Sequence, residues 1–106
     1  MENGNGHKPK YEGVPVYMDG REWIVPALSL RQFKQHYKML LDTDLTPDNF
    51  PEKFPERFLI VLEAFQRNYP DLTEEKLLDM IDLRTFLTVM QAIAAASGMR
   101  PARPGE

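Results

Sequence analysis

Cysteine is missing from the 106 residues, which excludes a disulfide framework, a thiolate metal site and a cysteine nucleophile. A reducing cytoplasm is then the expected compartment. Histidine is almost as scarce: His7 and His36 are the only imidazoles, so no pair stands at metal-ligand spacing. The longest apolar run, Phe58 to Leu62, falls far short of a membrane span, and the first residues lack the apolar core of a secretory signal. There is no Gly-rich phosphate loop and no Ser/His/Asp grouping with supporting context. Positive charge is in short supply, with 13 Lys and Arg against 16 Asp and Glu, a net charge of −3 and a pI near 5.4. That balance argues against a sequence-independent hold on phosphate backbones. These absences leave the expectation of one soluble domain that is not an enzyme, needs no cofactor or metal, and binds neither nucleic acid nor membrane.

What is present is organised around Pro55 to Asp82. Phe58, Val61, Leu62, Phe65 and Tyr69 recur at three- and four-residue spacing, the stripe of a helix against a core, and Leu59 and Ile60 widen it. Pro55 suits a first helical turn, and Pro70 cannot continue the helix, which bounds it near 55–69. Thr73 is a good N-cap for the next helix. Glu74 and Glu75 place negative charge in its first turn, and Leu72 can staple onto Leu77.

Upstream, VPVYM, Asp-Gly and REWIVP form a hairpin signal with a two-residue turn of type I′ at Asp19 and Gly20. Val16 then lies opposite Trp23, and Met18 opposite Arg21. Val14, Val16, Met18, Trp23 and Val25 share the face expected to pack on the helices. Ser29-Leu-Arg-Gln32 is a capping box with Leu28 and Phe33 as staple, so a helix begins at Leu30. Its expected buried stripe is Leu30, Phe33, Tyr37, Leu40 and Leu41, with Arg31, Lys34 and Lys38 on the other side and His36, to which no chemistry is assigned, on the flank.

Residues 42–54 read as a Pro- and Asp-rich connector anchored by Leu45, Phe50 and Phe54. A last helix is capped by Asp82 or Thr85, lines up Phe86, Met90, Ile93 and Ser97 with Leu87 and Ala94 beside them, and stops at Gly98 in the αL conformation. The fold class is therefore α+β, mostly α: a hairpin at 14–26, then helices near 30–42, 55–69, 73–82 and 85–97. Residues 1–13 and 99–106 are expected to be flexible tails flanking a single domain at 14–98.

Charge is unevenly spread. Residues 29–41 hold Arg31, Lys34 and Lys38 and no acid, while residues 42–82 hold eleven acids and four bases, 4 − 11 = −7. The acids Glu74, Glu75, Asp79 and Asp82 are explained by a first turn and a solvated flank without any metal. The same acids exclude a helix-turn-helix reading of 63–82, whose second helix would meet DNA with Lys76 as its one base. Six Met and ten Phe and Tyr fit a surface that exposes apolar area. Arg31, Lys34 and Lys38 on the helix, with Tyr17 and Ile24 on the hairpin face away from the core, are the candidate partner-binding residues.

Several segments in order resemble a known family. A short hairpin ends in Val25-Pro-Ala-Leu-Ser-Leu30, a helix follows, then Ala64-Phe-Gln-Arg-Asn-Tyr-Pro-Asp-Leu-Thr-Glu-Glu75, then a helix closing on Ala94-Ala-Ala-Ser-Gly98. Over about residues 14–98 this resembles the tail assembly chaperones of long-tailed bacteriophages. The resemblance implies a non-catalytic protein of the infected or lysogenic host's cytoplasm. It would bind the long, helical, aggregation-prone tape measure protein, help bring tail tube subunits to it, and be absent from the mature virion. It leaves room for a homo-oligomer, and for a longer product made by a programmed frameshift near Gly98 to Glu106. One departure is Asp82-Leu-Arg-Thr-Phe86, where relatives carry a Gly-Asn-like break; here the last two helices are expected to run almost continuously. The matched residues look structural and assign no partner contact. Two alternatives come from other classes: a minor virion component of the tail-completion or connector kind, and a small transcriptional regulator.

Overall fold

The computed structural model describes residues 9–42 and 44–98. Strands β1 (Gly13–Met18) and β2 (Arg21–Pro26) are followed by helices α1 (Leu30–Leu41), α2 (Phe50–Asn68), α3 (Glu74–Met80) and α4 (Leu83–Ala96). The class is α+β and mostly α, as the sequence pattern requires. The strands pair antiparallel with Val16 opposite Trp23 and Met18 opposite Arg21. Asp19 and Gly20 both take positive φ, 53° and 80°, the left-handed pair that a type I′ turn needs. At the open end of the ladder Gly13 faces Pro26, and a Cβ there would lie 2.0 Å from the Val25 carbonyl oxygen, so this approach of the strands requires glycine.

One face of the hairpin, Val16, Met18, Trp23 and Val25, is buried against α2 and α4, with Val14 partly covered beside it. Helix α2 is central: Phe58, Ile60, Val61, Leu62, Ala64 and Phe65 are all buried, while Leu59 is exposed. Leu77 of α3 and Phe86, Val89, Ala92 and Ile93 of α4 complete the core; Met90 and Ile81 are only partly buried. Trp23 packs edge-on to Phe65 and Tyr69, at ring distances of 5.8 and 4.8 Å. That aromatic corner is the seam between sheet and helices.

Helix α2 starts at Phe50, five residues ahead of the expected start at Pro55. Thr46 and Asn49 exchange bonds, Thr46 N–H donating to Asn49 Oδ1 at 2.8 Å and Asn49 N–H to Thr46 Oγ1 at 3.3 Å, and Pro51 rather than Pro55 occupies the first turn. Helical spacing then stacks Phe50, Phe54 and Phe58 at 5.2 and 5.5 Å and sets Phe54 against Phe86 at 5.2 Å. This burial of aromatic surface offsets the one backbone bond that Pro55 removes. Phe50 and Phe54 thus anchor the chain as helix, not as connector.

The last two helices are separate, contrary to the near-continuous run expected of them. Ile81 and Asp82 are both extended, and the Asp82 carboxylate accepts from the Thr85 N–H at 2.7 Å, which caps α4 and holds its pKa below the usual value. An aspartate N-cap is enough to break the helical run here. Thr73 caps α3 by accepting from Lys76 N–H, and Gly98 ends α4 at φ 80°. The tails expected at 1–13 and 99–106 lie outside the described residues over 1–8 and 99–106. Tyr11, inside the first of them, is held: its N–H donates to Asn68 Oδ1 at 2.7 Å, and the Arg67 guanidinium lies 4.0 Å over its ring.

The corner 67–69 fastens the hairpin to α2. Arg67 donates to the Ala27 carbonyl, and the Tyr69 hydroxyl accepts from Ile24 N–H at 2.8 Å. Buried Asn68 donates to the carbonyls of Tyr11 and Ile24 at 2.9 and 3.1 Å and accepts from Tyr11 N–H. Asn68→Ala leaves these backbone groups unpaired, so urea unfolding is expected to show a loss of about 2–3 kcal/mol. A loss below about 0.5 kcal/mol would mean that solvent satisfies those groups and the corner is no clamp.

Candidate functional site

Helix α1 carries the candidate site, and its orientation is not the expected one. Its capping box forms as read, with Gln32 N–H donating to Ser29 Oγ at 3.1 Å and Ser29 N–H to Gln32 Oε1 at 3.0 Å. Of the stripe assigned to the core, Leu40 packs against it, but three members face outward: Leu30 is 87% exposed, Leu41 64% and Tyr37 42%, with Phe33 at intermediate depth. The residue of α1 that is buried is His36.

The reason lies in what α2, the main packing partner of α1, offers. Glu56 and Glu63 stand on the side of α2 toward α1. His36 Nε2 lies 3.0 Å from Glu63 Oε1, and its Nδ1 lies 3.6 Å from Glu56 Oε2 without a hydrogen-bond partner. Gln32 Nε2 donates to the Glu63 carbonyl at 3.3 Å. At the C-terminal end, Asp42 Oδ2 meets Lys53 Nζ at 2.8 Å, and buried Arg57 donates to the Asp42 carbonyl at 2.8 Å. A polar seam thus fixes the rotation of α1. Successive helical residues turn by roughly 100°, so a helix seated on Gln32, His36 and Met39 must present Leu30, Tyr37 and Leu41 to solvent. The Phe33 and Tyr37 rings pack on each other at 6.2 Å along this stripe.

Arg31, Lys34 and Lys38 are exposed on the next strip of the same helix, and among the described residues none of them makes an ion pair. The acidic segment 42–82 of the same chain therefore does not neutralise them. Tyr17, 72% exposed, and half-buried Ile24 lie on the outer face of the hairpin, where Tyr17 stands across from Glu22 and Ile24 from Pro15. Neither strand makes extensive contact with α1. The five candidate residues form two sets, three on α1 and two on the hairpin, rather than one patch. Sequence reasoning missed the apolar members of the α1 face because it took periodicity for burial. The available signal was Glu63 inside the most apolar helix and His36 on α1, two polar groups that satisfy each other.

A cleft of about 280 Å³ between the hairpin turn and the 69–72 corner is lined by Arg21, Trp23, Tyr69, Asp71, Lys76 and Met80. Arg21 closes part of it by stacking over Trp23 at 3.9 Å. Among the described residues no cluster of three or more His, Asp or Glu could hold a metal ion, and no helix is long and apolar enough to cross a membrane. Comparison of the chain with protein-family models, with curated proteins and with solved structures finds no match.

Two outcomes test this geometry. Leu30→Gln and Leu41→Gln are expected to shift unfolding free energy by no more than about 0.5 kcal/mol, whereas Phe65→Ala in the core loses about 3–5 kcal/mol. Chemical denaturation reads both; a large loss at Leu30 would return the stripe to the core. The second concerns Asp42, whose pKa is lowered to about 2, first by the Lys53 ammonium and then by the Asp44 N–H. A folded-state value below the unfolded one stabilises the fold above about pH 4 and ceases to as pH falls toward 2. The stability difference between wild type and Asp42→Asn should therefore close between about pH 4 and pH 2. A difference constant over that range would show that the Lys53 contact is not formed in solution.

Proposed function

We propose that this chain is a tail assembly chaperone of a long-tailed bacteriophage. In this reading it is non-catalytic, works in the host cytoplasm, binds the tape measure protein, assists the addition of tail tube protein, and is left out of the finished virion. The ordered resemblance over 14–98 supports it. The observation that carries the protein-binding part is the α1 face, where Leu30, Tyr37 and Leu41 are exposed next to three cations that make no ion pair among the described residues. An amphipathic client helix fits such a face, its apolar residues on the leucines and its acids on Arg31, Lys34 and Lys38.

Co-expression with a tape measure protein of a long-tailed bacteriophage is the test. The wild-type chain should raise the soluble fraction of that protein. Charge reversal at Arg31, Lys34 and Lys38 should reduce the gain while circular dichroism shows an unchanged fold. If wild type leaves client solubility unaltered, the chaperone reading fails; if the triple variant works as well as wild type, the client sits elsewhere. Finding the chain in purified particles would favour a minor virion component.

A further inference from the structure

A two-stranded sheet has two outer edges, and here one of them is fastened to the helices. In a hairpin with a two-residue turn, Met18 and Arg21 exchange ladder bonds, and bonded and non-bonded pairs alternate away from the turn. The pairs Tyr17 with Glu22 and Pro15 with Ile24 are therefore non-bonded, and their backbone groups point outward. On β2 the Ile24 groups are taken: its N–H donates to the Tyr69 hydroxyl, and its carbonyl accepts from Asn68 Nδ2. On β1 the matching row is the Tyr17 N–H and carbonyl and the Pro15 carbonyl, continued by Gly13. None of these groups has a hydrogen-bond partner among the described residues, and Gly13, Pro15 and Tyr17 are all exposed. Pro15 fits the row because an outward position needs no N–H for the ladder.

Charge selects the occupant. Glu22 is exposed beside Tyr17, and Glu12 and Asp19 stand exposed at the two ends of β1; none of the three makes an ion pair among the described residues. Arg21, the one base of the hairpin, is stacked over the Trp23 ring at 3.9 Å. We propose that β1 takes an extended segment of another protein as a third, antiparallel strand, its solvent-facing residues basic and its alternate residues apolar. Main-chain bonds to Tyr17 and Pro15 hold it, its cations lie near the three carboxylates, and its apolar residues extend the face of Val14 and Val16. A second copy of β1 is the poorer occupant, since it brings the same acids together. This surface is separate from the α1 face and does not depend on the chaperone reading.

The probe is the blocked peptide acetyl-Lys-Val-Lys-Val-Lys-Val-Lys-amide, and amide hydrogen exchange of the whole chain, followed by NMR, is the readout. Without peptide the Tyr17 amide should exchange fast, while those of Val16 and Met18, in bonded pairs, are protected. Saturating peptide should slow Tyr17 about tenfold or more and leave Ile24 unchanged. Tyr17→Pro, which an edge position tolerates as it does Pro15, should weaken peptide binding about tenfold or more. Opposed residues of a bonded pair carry their side chains on one face, so the lysines of the peptide, not its valines, bond to β1. Methylating the lysine backbone nitrogens should then abolish binding, and methylating those of the valines should not; this pair decides the matter even if Tyr17→Pro does not fold. A peptide that fails to slow Tyr17, a Tyr17→Pro variant that binds as wild type does, or equal behaviour of the two methylated peptides overturns the proposal. Tyr17 protection that grows with protein concentration alone would mean that a second copy holds the edge, and overturns it as well.

Discussion

Everything in this fold depends on how the end of α2 holds a two-stranded hairpin. Two strands alone are marginal in water, because half of their backbone groups lack a partner and one face of side chains cannot cover itself. Arg67, Asn68 and Tyr69 answer both needs at once. Their polar ends engage the backbone at Tyr11, Ile24 and Ala27, while the Tyr69 ring packs on Trp23. Once the hairpin is held there, its buried face packs on α2 and α4, and Leu77 of α3 joins the same core. The RNYPDLT stretch is therefore a structural joint, with Pro70 ending the helix just after its last clamping side chain.

A second, polar seam governs the outer surface. Helix α1 meets α2 through Gln32, His36 and the Asp42 carboxylate, with Met39 and Leu40 packed on the core beside them and Leu30, Tyr37 and Leu41 left outside. Such contacts fix rotation sharply, because a hydrogen bond fails over an ångström whereas leucine packing tolerates sliding. Their cost is an uncovered aliphatic stripe. A domain of this size that leaves Leu30, Tyr37 and Leu41 in water, and three leucines near the α3–α4 break as well, keeps surface available for association.

Local signals in the sequence located most elements. The Asp-Gly turn, the Ser29 capping box, Thr73 and Gly98 each act within four residues, so the structure places them where the pattern does. What stayed illegible was decided by distant partners. The start of α2 depended on Phe54 finding Phe86, and the rotation of α1 on His36 finding Glu63. Periodicity reports that a helix is two-faced but does not say which face another element will take. Of the candidate site, the cations Arg31, Lys34 and Lys38 were legible as exposed, while the leucines beside them were assigned to the wrong side.

Trp23 is the single tryptophan, and it sits buried where hairpin, α2 and the 69–72 corner meet, its Nε1–H donating to the Met18 carbonyl at 2.8 Å. Its surroundings change when the hairpin leaves the helices. The α1 face lies on an element without extensive contact to either strand. The molecule thus carries an intrinsic fluorophore that reports the closing of its core and is shielded from events on its outer helix, so folding and docking give separable optical signals.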